Sequence, residues 1–153
     1  MSGRSVRGPA TIGALQAALA AEHAAVYGYG VVGAYLTGSN RATATADWVA
    51  HQENRDTLEG MLRSHGAQPV AAAVGYQLPV AVRTPAEAAQ LAVILEDRVA
   101  AAYIGLVALT ATAIRQFGAR QLQASALRAA AWRGSTVAFP GLPASSLAGP
   151  RRV

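Results

Sequence analysis

Residues 12–36, IGALQAALAAEHAAVYGYGVVGAYL, decide the fold class. Ile12, Leu15, Leu19, Glu22, Val26, Tyr29, Gly33 and Leu36 follow one another in steps of three or four, the period of a single helix face. The spacing predicts one long helix over about Thr11–Thr37, with Thr11 as N-cap and Gly38-Ser39-Asn40 as the stop. Upstream, Arg4 and Arg7 precede the apolar run Ala10–Ala21, a pattern shared with secretory leaders that end in small residues. The register runs on unbroken past Ala21, which a cleaved leader has no reason to maintain. The expectation is therefore a flexible leader over residues 1–10, a helical domain over 11–143, a loose tail over 144–153 and a cytoplasmic location.

The same period recurs downstream. A second helix is expected over about Thr43–His65, its stripe being Trp48, His51, Arg55, Leu58, Leu62 and His65, with Gly66 as the stop and Pro69 soon after. Residues 66–83 contain Pro69, Gly75 and Pro79 and have no helical period. The segment is too long for a hairpin turn and reads as a crossover along the length of a bundle. Thr84-Pro85-Ala86-Glu87 opens a third helix: threonine caps, proline occupies the first turn and Glu87 completes a capping box. That helix is expected to reach about Thr110. A fourth, from Ala113 or Arg115 to Arg133, is weakened by Gly118 and by small side chains, and Val137–Pro140 is expected to pack on the bundle. Helices of roughly 25 residues extend ~40 Å. The fold class is all-α, an up-down four-helix bundle with a long crossover between helices 2 and 3.

Composition narrows the chemistry. Of 153 residues, 52% are hydrophobic and 14% charged, enough apolar surface for a core and too much for disorder. There is no cysteine, hence no disulfide framework, thiolate zinc site or iron–sulfur cluster. All 13 basic residues are arginine, so lysine Schiff-base and P-loop chemistry are out. The net charge of +5 suggests nucleic acid, but the arginines are scattered from Arg4 to Arg152 and form no stripe for a phosphate backbone. Uncharged stretches such as Ala24–Asn40 and Val99–Ile114 fall short of the ~20 residues that span a bilayer. Neither nucleic acid nor membrane is an expected partner.

The informative residues are charges at positions where the period demands apolar side chains. Glu22 lies mid-stripe in the first helix, His51 and Arg55 in the second, and Glu96 on the row Ala92, Glu96, Val99, Tyr103, Leu106 in the third. A Glu, a His and a Glu at mid-bundle are the layout of a di-iron carboxylate site. The usual ligand set takes one Glu from each of two helices and Glu-x-x-His from the other two. Here Trp48 stands where the Glu before His51 belongs, and the fourth helix has neither acid nor histidine, offering Gln116, Gln121, Gln123 and Ser125. Two metals are excluded. Three readings remain: a buried ion-pair cluster in which Arg55, Arg98 or protonated His51 neutralises Glu22 and Glu96, a single iron or manganese ion on Glu22, His51 and Glu96, or a small-molecule pocket lined by these groups. The first is the leading expectation, with no cofactor. Tyr29 and Tyr103 are expected to supply bulk and a hydrogen-bonding hydroxyl. His23 reads as a surface or interhelix residue, and Glu53, Asp56 and Glu59 with Arg55 as a solvated face.

Five segments together resemble an actinobacterial ferritin-like family of unknown function: Ala21–Gly30, His51–Leu58, Tyr76-Gln77-Leu78-Pro79, Leu95-Glu96-Asp97 through Tyr103, and Ala131-Trp132-Arg133 leading to Phe139-Pro140-Gly141-Leu142-Pro143. The resemblance implies a ferritin-like four-helix domain and no settled activity. The resulting expectation is a non-catalytic binding or regulatory module with a degenerate di-iron site, a homodimer through a small-residue helix face with an unspecified protein or small-molecule partner. The alternative is a metal-dependent oxidoreductase with a reduced site at Glu22, His51 and Glu96.

Overall fold

The computed structural model describes residues 8–142. Four helices carry the chain: α1 (Pro9–Ala34), α2 (Gly38–Ser64), α3 (Pro85–Val107) and α4 (Thr112–Arg133). No strand occurs among the described residues. The first helix begins earlier than its polar residues suggest. Pro9 takes the first turn with Gly8 as N-cap, so Thr11 lies inside the helix and is buried, not capping. Gly38-Ser39-Asn40 does not stop α1; it opens α2, after a connection of three residues. Gly38, at φ +57°, supplies the left-handed backbone that so tight a reversal requires.

The start of α3 follows its sequence. Thr84 Oγ1 accepts from Glu87 N at 3.2 Å, and Glu87 Oε2 accepts from Arg83 N at 2.8 Å. These bonds hold the exposed Glu87 carboxyl below the usual range. Gly118 does not break α4. A Cβ there would sit 2.7 Å from Leu106 Cβ, so the glycine lets α4 close tightly on α3.

α1 packs against both α2 and α3, and α3 packs against α4. Two apolar clusters fill the interior. One gathers Leu15 and Leu19 of α1, Leu58 and Leu62 of α2, Tyr103 and Leu106 of α3, and Ile114 and Phe117 of α4. The other gathers Tyr29, Val32 and Leu36 with Ala44, Val82, Ala88, Leu91 and Leu95. The start of α1 thus meets the ends of α2 and α3, and its end meets their starts. Residues 65–84 lie along α1: Gln16 bonds Gln68 O and Val70 N, His23 Nε2 meets Val70 O at 3.0 Å, and the Tyr27 and Tyr76 rings pack 5.4 Å apart. His23 is accordingly buried between α1 and this segment. No described helix is long and apolar enough to cross a membrane.

Candidate functional site

Between the two apolar clusters lies a layer of buried polar groups. Helix periodicity places Glu22 between Leu19 and Tyr29 on α1, His51 between Ala44 and Leu58 on α2, and Glu96 between Leu91 and Val99 on α3. All three are fully buried. The structure brings these sequence-chosen residues into one hydrogen-bonded group. His51 Nδ1 donates to Glu22 Oε2 at 2.6 Å, and His51 Nε2 donates to Glu96 Oε1 at 2.9 Å. Set between two carboxyl groups, the ring is favoured in its imidazolium form, in which both nitrogens donate. Burial pulls the imidazole pKa down. The hydrogen bonds and charges of Glu22 and Glu96 outweigh burial and raise it to about 9.

Further donors saturate the glutamates. Glu22 Oε1 accepts from Asn54 Nδ2 at 3.1 Å and Tyr103 OH at 2.5 Å. Glu96 Oε1 also accepts from Tyr29 OH at 2.7 Å, and the Tyr29 ring packs 5.2 Å from the imidazole. Burial, reinforced by the adjacent carboxylates, pushes both phenols far above their ordinary range, so they act as permanent donors.

The side facing α4 is looser. Arg128 Nε lies 3.3 Å from Asp47 Oδ1, and its Nη1 is 3.9 Å from Glu96 Oε2. Trp132 Nε1 donates to Asp47 Oδ2 at 2.9 Å. Burial raises the Asp47 pKa; the Trp132 hydrogen bond and the Arg128 charge counter it, while the Glu96 charge adds to it. Glu96 Oε2, Arg128 Nη1 and Ser125 Oγ are buried with no hydrogen-bond partner among the described residues.

The cation that closes the cluster is therefore Arg128, and neither arginine expected from the sequence takes that place. Arg55 turns outward to Asp56 at 2.8 Å, and Arg98 is exposed on the outer face of α3. The α2 stripe holds at His51, Leu58 and Leu62 and departs from expectation at two positions. Asp47 and Asn54 face inward where Trp48 and Arg55 were expected, because the buried row runs Ala44, Asp47, His51, Asn54, Leu58 and Leu62. The outer face carries Glu53, Arg55 and Asp56, with Arg63 paired to Glu59, as a solvated surface.

The donor set fits an ion poorly. A ligating histidine needs a nitrogen lone pair, and both nitrogens of His51 are bound to carboxylates. The Arg128 guanidinium approaches the free oxygen of Glu96.

Comparison with known proteins defines the kinship. Residues 14–144 match the model of a family described as a domain of unknown function, DUF4439. This chain belongs to the DUF4439 family. A crystal structure of a conserved hypothetical protein from Mycobacterium tuberculosis is similar, with a TM-score of 0.81 and 37% identity over 83% of this chain and 97% of that one. No curated protein matches. The matched residues take in α1 from residue 14 onward, the other three helices and the whole polar layer. Within it, sequence reasoning missed Asp47, Asn54 and Arg128 as cluster members. A usable signal was their spacing: Asp47 and Asn54 lie four before and three after His51, and Ser125, Arg128 and Trp132 form one row on α4.

Proposed function

We propose that this DUF4439 chain is a ferritin-like bundle in which a self-neutralising hydrogen-bonded layer takes the place of a di-metal centre, and that it works as a non-catalytic binding module. The observation that carries this is the position of His51, spent on both sides by Glu22 and Glu96. Such a layer fixes the register of four helices that are otherwise rich in small apolar side chains. The ferritin-like connectivity is supported by α1 packing on α2 and α3 and by residues 65–84 lying along α1 as a crossover. We further propose that residues 11–143 form the domain, although α1 already begins at Pro9; residues 1–7 of the expected leader and the tail expected over 144–153 lie outside the described residues. The unbroken course of α1 through Ala21 supports reading that stretch as part of a cytoplasmic bundle. A homodimer through α1 is supported by Gly30 and Gly33, where an added Cβ would meet nothing within 4 Å among the described residues.

Elemental analysis of protein purified without chelator tests the central claim. The expected result is substoichiometric metal and a melting temperature unmoved by added iron(II) or manganese(II). Stoichiometric iron or manganese, lost in Glu22→Ala, would overturn this reading in favour of a metal site at Glu22, His51 and Glu96.

A further inference from the structure

The segment after α4 is fastened at both ends. Gly134 caps α4 in a left-handed conformation, φ +77°. Gly141, at φ +80°, approaches α3 so closely that a Cβ would lie 2.9 Å from Ala101 N. Between these anchors a groove of about 620 Å³ opens against the outer face of α3. This size falls within the ~300–1,000 Å³ range of small-molecule sites. Ile94 and Ala101 of α3 line it together with Val137, Phe139 and Leu142 of the strap. The last three are roughly half exposed, at 46%, 55% and 45%, an unusual concentration of large apolar side chains on so short a segment.

The polar lining carries one surplus positive charge. Arg133 is committed to Asp97 at 2.7 Å. Arg98 also lines the groove and has no carboxylate within 4.0 Å among the described residues. A guanidinium presents a planar fork that matches the two oxygens of a carboxylate. A single free arginine suits a monoanion; a polyphosphate backbone would require several.

We propose that this groove is a binding site for a medium-chain alkyl carboxylate. The chain lies against Ile94, Val137, Phe139 and Leu142, and the carboxylate pairs with Arg98. The site is separate from the buried layer, so either assignment stands without the other.

Isothermal titration of the full chain with octanoate, and with 1-octanol as the neutral counterpart, tests the proposal. One octanoate per chain is expected to bind with millimolar affinity or better, and octanol at least tenfold more weakly. Arg98→Gln is expected to weaken octanoate binding about tenfold or more. Phe139→Ala should weaken octanoate and octanol alike. Arg63→Gln, on the opposite side of the bundle, serves as the charge control and should leave binding unchanged. Far-UV circular dichroism checks that each variant keeps its helices, and both groove positions are solvent-exposed, so folding is not at risk. Absence of saturable octanoate binding would overturn the proposal. So would equal affinity for octanoate and octanol, or equal loss in Arg98→Gln and Arg63→Gln.

Discussion

Raising the pH should unfasten the buried layer through one group. The His51 imidazolium has a pKa of about 9 in the fold, against 6.5 for an ordinary imidazole. Because the folded value is the higher one, the stabilisation is complete below pH 6.5, falls as pH rises and is gone above about 9. The window spans roughly 2.5 pH units at ~1.4 kcal/mol each, or about 3 kcal/mol. The sequence leaves this window nearly clear. There is no cysteine or lysine, and the other histidines are His23, bound to Val70 O, and His65, at the end of α2. The Tyr29 and Tyr103 phenols act only above their ordinary range. Urea unfolding followed by circular dichroism at pH 6 and at pH 9 should show this loss, with a melting temperature lower by roughly 6–12 °C. His51→Gln should be less stable at pH 6 and lose most of the dependence. Stability that stays flat from pH 6 to 9, or an equally steep dependence in His51→Gln, would refute the bridging imidazolium.

Two further substitutions probe the packing around that layer. Arg128→Met removes the guanidinium beside Asp47 and Glu96 and leaves buried carboxyl groups short of a partner; denaturant unfolding should register a loss of about 3 kcal/mol. Gly118→Ala and Gly30→Ala should differ in sign. The first forces a methyl into Leu106 and should cost ~1–3 kcal/mol, while the second meets open space and should gain up to ~1 kcal/mol in the monomer; paired melting curves decide.

Much of the architecture was readable from local chemistry. The period of three and four marked the first three helices, and Thr84-Pro85-Ala86-Glu87 fixed the start of α3 within one residue, because a capping box is satisfied by neighbours in the chain. Glu22, His51 and Glu96 stood out because a charge on an apolar row needs partners wherever the helices go. What failed was local as well. Thr11 has a capping side chain, but Pro9 and Gly8 already served, and Gly38-Ser39-Asn40 can stop one helix or start the next.

The partners of the buried charges were a tertiary matter. Adjacent residues on a helix lie about 100° apart, so Trp48 and Asp47, or Arg55 and Asn54, flank the same interface, and apolar periodicity favours neither. Asp47 turns inward because Arg128 and Trp132 of α4 meet it, and Asn54 because Glu22 of α1 accepts its amide. The linear sequence dictated that the interior would carry two glutamates and a histidine. Only the packing of α4 across the bundle selected Arg128, 32 residues beyond Glu96, as the cation that completes the layer.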